Sequence, residues 1–188
     1  MIKVIAEHSV DVKILPVNGK VLDIGCLGFE FKDAILDYVN TSPHYGGRVN
    51  CVDIQDFKPK FSYHNVAISD KNGYCGIKRS DDPQATKIGD GNEIPMMTIP
   101  TFSKMLGVEK WDLIKMDIEG EEIKVLRSLQ HPYCKQISVE FHAHCGQTKQ
   151  ELDELLDWLS TWYDIHNRVW EERHGAGFNY WDVLLIAK

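Results

Sequence analysis

The stretch Val21-Leu22-Asp23-Ile24-Gly25-Cys26-Leu27-Gly28 constrains this chain more than any other. Apolar residues run into Asp-x-Gly-x-x-Gly, and Phe31, Ala34, Ile35 and Tyr38 follow at helical spacing. The pattern predicts a buried strand, a tight glycine turn and a helix. The two glycines let a ligand approach the backbone where a Cβ would block it. The helix start points its amides and positive dipole end at that ligand. A chain built this way is expected to hold a nucleotide-like cofactor at this turn.

The rest of the chain repeats the alternation of strand and helix. Residues 1–19 read as a lead-in, with Lys3–Ile5 and Val12–Leu15 as edge strands. After the helix Phe31–Val39 come a loop at Thr41–Gly47, a strand at Arg48–Ile54 and another at Tyr63–Ser69. Tyr74–Lys78 reads as a hairpin return after the turn Asp70–Gly73. Ser80–Glu93 is polar, with two glycines and a proline, and reads as a long loop and candidate substrate wall. Met96–Ile99 is a short strand and Thr101–Leu106 a short helix. Trp111–Met116 is the fourth main strand, Glu121–Leu129 the helix after it and Gln136–Phe141 the fifth strand. Thr148 and Glu151 form a capping box for a helix whose stripe is Leu152, Leu155, Leu156, Leu159 and Trp162. Trp158 and Trp162 are expected in the core. Tyr163–Trp170 and Tyr180–Ala187 are the last strands, joined by a short loop at Glu171–Asn179 and therefore antiparallel.

This order predicts a single α/β domain over residues 1–188 with helices on both faces of the sheet. Ligands in such sheets sit beyond the carboxyl ends of the strands. That rule selects Asp23–Gly28, Asp53–Gln55, Asp117–Glu121 and Glu140–His144, where the unusual polar residues also lie.

The glycine spacing narrows the cofactor. Counted forward from Gly25, a dinucleotide fingerprint needs glycines at 27 and 30, which are Leu27 and Glu30. In the other alignment Asp23 replaces the first glycine and sets a negative charge where a pyrophosphate would lie. The Gly-Lys-Ser/Thr of a P-loop is absent as well. Asp53, at the end of the next strand, can accept hydrogen bonds from ribose hydroxyls. Asp23 can hold the cationic amino group of a methionine-like tail. An acidic cleft suits the sulfonium of S-adenosylmethionine better than a pyrophosphate.

Three segments carry a family resemblance: Val21-Leu22-Asp23-Ile24-Gly25, Asn65-Val66-Ala67-Ile68-Ser69-Asp70 and Trp111-Asp112-Leu113-Ile114-Lys115-Met116-Asp117-Ile118-Glu119-Gly120-Glu121. Ile137-Ser138-Val139-Glu140-Phe141-His142 adds a fourth. Together they resemble the FkbM-type methyltransferases from about Val21 onward. The resemblance implies a Rossmann-like class I fold of seven strands with the last antiparallel. It also implies S-adenosylmethionine as cofactor and O-methylation of a sugar or other small metabolite. Carried over, Asp23, Gly25 and Gly28 line the methionine side, Asp53 holds the ribose and Asn65 and Val66 lie near the adenine; Cys26, Ile54 and Asp117 complete the cofactor-binding set. Asp23 to Asp53 spans 30 positions, somewhat long for this pattern, and little chain precedes the first motif.

Methyl transfer to oxygen needs an aligned acceptor and an outlet for its proton. His142 is the first candidate base, with His144 second; a structural histidine bonded to Glu140 is the competing reading. Asp117 and Glu140 complete the candidate catalytic set. Asp117 and Glu119 can orient the acceptor or instead cap the following helix. Asp117, Glu140, His142 and His144 together could hold a divalent metal, though a metal is not the favoured reading. A zinc site joining Cys134 to His142 is excluded, because a strand between them separates them by about 26 Å. Arg173, His174, Phe178 and Asn179 are candidate acceptor contacts.

The net charge of −7 argues against nucleic acid or an anionic membrane as partner. No apolar run approaches the ~20 residues of a membrane span. Five cysteines, an odd count without Cys-x-x-Cys, read as reduced thiols in a cytoplasmic protein. Other acceptors (an amine, a lipid, a protein) and a non-catalytic S-adenosylmethionine-binding module are the alternatives. A dehydrogenase is disfavoured by the glycine spacing.

Overall fold

The computed structural model describes residues 1–39, 49–59, 61–173 and 178–188, with the backbone alone for 167–173 and 178–180. Its strands are β1 (Ile2–Ile5), β2 (His8–Asp11), β3 (Val21–Ile24), β4 (Val49–Asp53), β5 (Tyr63–Asn65), β6 (Ala67–Ile68), β7 (Gly73–Lys78), β8 (Lys87–Met97), β9 (Leu113–Met116), β10 (Gln136–His142), β11 (Tyr163–Arg173) and β12 (Phe178–Ala187). The helices are α1 (Glu30–Val39), α2 (Ile99–Met105), α3 (Glu122–Ser128) and α4 (Lys149–Leu159).

The main sheet runs β11-β12-β10-β9-β3-β4-β5. β3 pairs parallel with β4 and β9, and β9 with β10, while β12 enters antiparallel between β10 and β11. The alternation of side chains divides the core between two faces. Val21 and Leu113 pack with Phe31, Ile35 and Val39 of α1 and with Ile5 and Val10 of the first two strands. Leu22, Ile24, Ile114 and Met116 pack with α2, α3 and α4 on the other face. α4 forms where its local signals put it. Thr148 and Glu151 close a capping box, and Leu152, Leu155, Leu156 and Leu159 are buried.

Several expected boundaries move. The lead-in forms a hairpin, but its second strand is His8–Asp11 rather than Val12–Leu15. The expected strand Tyr63–Ser69 divides at Val66, whose N–H donates to Asp53 O at 3.1 Å; β5 stays in the main sheet while β6 joins a second one. Ser80–Glu93 is not one long loop. A single 3-10 turn at Pro83–Ala85 leads into β8, the centre of a three-stranded sheet ordered β6-β8-β7. The glycines that suggest a loop there serve a close crossing with β7: a Cβ on Gly89 would lie 3.1 Å from Lys78 N and one on Gly91 3.2 Å from Gly76 Cα.

α2 begins at Ile99, capped by Thr98, not at Thr101. The last two strands run on to Arg173 and restart at Phe178, so the described residues of the expected Glu171–Asn179 loop are strand. Trp158 is 41% exposed and stacks edge-on against Trp162 instead of entering the core. The Thr41–Gly47 loop, His174 and the side chains of Arg173, Phe178 and Asn179 lie outside the described residues. Among the described residues no helix is long and apolar enough to cross a membrane.

Candidate active site

The carboxyl ends of β3, β4, β9 and β10 converge on a cavity of about 290 Å³. A second cavity of about 410 Å³ adjoins it, sharing Ile54, Gln55, Pro83 and Thr86. Asp23, Gly25, Cys26, Gly28, Asp53, Ile54, Val66, Asp117 and Glu140 all line the first cavity. Asn65 lines the second instead, and its Nδ2 donates to Ile54 O at 2.9 Å. His142, 2% exposed, is not on the wall of either.

The glycine turn is fixed by a close approach. Gly25 has φ +75°, and a Cβ there would lie 1.6 Å from Asp117 O. Only glycine lets the turns after β3 and β9 cross at this distance. Gly28 has φ +72°, and a Cβ there would meet only the Glu30 side chain, at 3.8 Å; its backbone lines the cavity.

Beneath the turn lies Lys115, 4% exposed. Its Nζ donates to Gly25 O at 2.5 Å and stands 3.4 Å from Asp23 and 3.6 Å from Asp117. Burial pushes this ammonium down, but Asp23 and Asp117 outweigh burial and hold it protonated. Full burial raises the Asp23 carboxyl, and Lys115 partly restores its charge. Asp23 thus spends its charge inside the protein and sits behind the turn.

Asp53 is set up differently. Its Oδ1 accepts from Gln55 N at 2.8 Å, and burial raises its carboxyl to about 6. The Tyr63 hydroxyl donates to Gln55 O and braces this turn.

At the other side of the cleft His142 is enclosed by carboxylates. Nδ1 lies 2.9 Å from Glu122, and Nε2 lies 3.3 Å from Asp117, 3.4 Å from Glu140 and 3.7 Å from Glu119. Burial disfavours the charged imidazole, yet Glu122, Asp117 and Glu140 raise it well above its ordinary value. Asp117 is pushed upward by burial but ends low, held by Lys115 and His142. Glu122 is fully buried and caps the loop before α3, accepting from Ile118 N at 3.0 Å and Gly120 N at 3.0 Å. The capping role considered for Asp117 and Glu119 therefore falls to Glu122. Gln147 Nε2 donates to Glu122 at 2.6 Å, and Gln147 Oε1 accepts from His142 N at 2.6 Å.

Glu119 bends back with φ +54°, and burial raises its carboxyl to about 7. It pairs with His144 at 2.9 Å, which draws His144 away from the other candidate metal ligands. Donor atoms of Asp117, Glu140 and His142 lie within 4.8 Å of one another, and those of Glu119, His144 and Cys145 form a separate group. Cys134 is buried, its Sγ donating to Gln136 O at 3.0 Å. Lys115 carried a sequence signal, being the one charged side chain in the apolar strand Leu113-Ile114-Lys115-Met116. Glu122, Gln147 and His8 carried none.

A doubly wound sheet with an acid-lined cleft at its strand ends, and its last strand reversed, defines the class I methyltransferases. The model of the methyltransferase FkbM domain matches residues 19–178, and the chain belongs to this family. It is an S-adenosylmethionine-dependent methyltransferase domain. No curated protein matches it. Among solved structures, M. capricolum TrmK in complex with S-adenosyl-homocysteine is similar in fold. The TM-score is 0.51 at 11% identity, over 94% of this chain and 66% of that one. This chain thus spans just under two thirds of TrmK. Fibrillarin in its complex with NOP5P gives 0.46 at 13%, over 91% and 73%. Streptococcus pneumoniae Sp1610 with S-adenosyl-L-methionine gives 0.44 at 10%, over 94% and 69%.

Proposed function

We propose that residues 1–188 act as one domain that methylates a hydroxyl group of a small acceptor such as a sugar or secondary metabolite. The observation that carries this reading is the asymmetry of the cleft. A ribose-type acid, Asp53, stands on one side of the glycine turn, and Asp117 and Glu140 stand on the other. The Gly28 backbone on the cavity wall and the negative lining both fit the cofactor, whose sulfonium supplies an electrophilic methyl group when bound. Asp53 binds the ribose hydroxyls. The Gly25–Gly28 backbone carries the methionine portion, with Asp23 and Lys115 fixing the turn from behind.

Asp117 and Glu140 face the acceptor. An oxygen that gains a methyl group becomes a strong acid. A carboxylate held low, as Asp117 is, therefore suffices to take its proton. His142 stands behind these groups and orients them as an imidazolium, a positioning role rather than that of first proton acceptor. A negatively charged wall and a net charge of −7 favour a neutral acceptor over RNA. Five free cysteines support a reducing, cytoplasmic setting.

The test is transfer of labelled methyl from S-adenosylmethionine to hydroxylated sugars and metabolites, their amine analogues and transfer RNA. Label in the hydroxylated compounds is expected. Label confined to amines or RNA overturns the acceptor, and failure to bind S-adenosylmethionine overturns the whole reading. The convergence of Asp117, Glu140 and His142 within 4.8 Å favours a second reading, in which a divalent ion lowers the acceptor hydroxyl's pKa. Loss of transfer in EDTA, with recovery on adding Mg²⁺ or Mn²⁺, selects it.

A further inference from the structure

We propose that Glu119, His144 and Cys145 form a binding site for Zn²⁺ beside the cleft, separate from the group of Asp117, Glu140 and His142.

The three side chains come from two turns packed against each other. Glu119 belongs to the turn after β9, and His144 and Cys145 to the 3-10 turn Ala143–Cys145 after β10. A glycine permits the contact: Gly120 has φ +108°, and a Cβ there would lie 2.8 Å from Cys145 Cβ. Gly146, with φ +92°, closes the 3-10 turn in the left-handed conformation. Glu119 is itself left-handed, which glutamate rarely is. The bend divides its oxygens. Oε1 lies 3.7 Å from His142 Nε2, while Oε2 lies 2.9 Å from His144 Nε2 and 3.4 Å from Cys145 Sγ. One oxygen thus faces the imidazolium and the other faces the two remaining donors.

The donor set selects the ion. A carboxylate oxygen, an imidazole nitrogen and a sulfur lie within 4.8 Å of one another. Sulfur and imidazole suit a borderline-soft ion such as Zn²⁺, whereas Mg²⁺ and Ca²⁺ take oxygen. With bonds of ~2.0 Å to oxygen and nitrogen and ~2.3 Å to sulfur, a tetrahedral zinc site spaces its ligands about 3.3 Å (O to N) and about 3.5 Å (O to S) apart. The two turns therefore need to part by only a few tenths of an ångström to admit the ion. Three protein ligands leave its fourth position for water or another ligand.

The ion can enter from solvent. The side chains of Glu119 and His144 are 16% and 23% exposed. Of the five free cysteines, the other four are buried and Cys145 alone is part-exposed. Burial, with the charges of His142 and Lys87 nearby, holds His144 below its ordinary value, so its imidazole is neutral, the form that binds metal. On binding, Cys145 gives its thiol proton to the buffer and bonds as the thiolate. His144 bonds through Nε2 and keeps its proton on Nδ1.

Co²⁺, which takes zinc sites and is coloured, serves as the probe on the full chain. The wild-type protein is expected to show a near-ultraviolet thiolate-to-cobalt band that Zn²⁺ displaces. Cys145→Ser is expected to abolish the band. His144→Ala is expected to weaken Zn²⁺ by about tenfold or more in calorimetry. Glu140→Gln, which removes a ligand of the other group, is expected to leave the band in place. Cys145→Ser changes one atom and carries the comparison should His144→Ala not fold. The proposal is overturned by a wild-type protein without the band, by a band that survives Cys145→Ser or is lost in Glu140→Gln, or by unchanged Zn²⁺ affinity in His144→Ala. None of these readouts involves S-adenosylmethionine, so the outcome is independent of the proposed methyl transfer.

Discussion

Lys115 neutralises two acids from different parts of the chain, Asp23 and Asp117, while its Nζ holds the carbonyl of Gly25. Lys115→Met keeps the length and removes the charge, leaving two carboxylates without their cation under the turn. It is expected to cost about 3–5 kcal/mol in denaturant unfolding. Asp53 gives a pH prediction. Its carboxyl is raised to about 6 by burial, so it is ionised and accepts from ribose hydroxyls above that pH. Affinity for S-adenosylhomocysteine should hold above about pH 6 and fall as pH drops through it, by up to about tenfold per unit. Asp53→Asn should flatten that part of the calorimetric pH profile. Asp53 and Asp117 were legible in the sequence because each stands at the end of a buried strand. The charge carried by His142 was not legible, because it depends on Glu122 and Asp117, which precede it by 20 and 25 residues.

At the scale of elements, the start of α4 and its buried leucines were legible because their signals are local, although the helix ends at Leu159, short of the Trp162 expected on its stripe. Thr148 Oγ1 accepts from Glu151 N at 3.2 Å, and Thr148 N donates to Glu151 Oε2 at 3.0 Å. Thr148→Ala is expected to lower stability by about 1 kcal/mol, read as a lower urea midpoint at unchanged slope. β8 was misread because Gly89 and Gly91 resemble loop residues, whereas the β7–β8 pairing uses such glycines for close backbone contact. The second hairpin strand was misplaced for the opposite reason. Its two-residue turn is Ala6–Glu7, which carries no turn signal, and the strain there is sustained by packing elsewhere.

Across the whole molecule, what the sequence by itself determined was the order of strands and helices, the class of sheet and the identity of its acid-bearing strand ends. Hydrophobic period, glycine spacing and helix caps are local properties, readable within a few residues. The family motifs carried the cofactor on the same local terms. Only the tertiary structure decided how those ends meet. It set Lys115 between Asp23 and Asp117, drew His144 off to Glu119 and withdrew His142 behind the wall. It also folded the lead-in over the cleft as the β1–β2 hairpin. Each of these depends on distances between segments remote in the chain, and protonation follows burial and neighbouring charge rather than residue type.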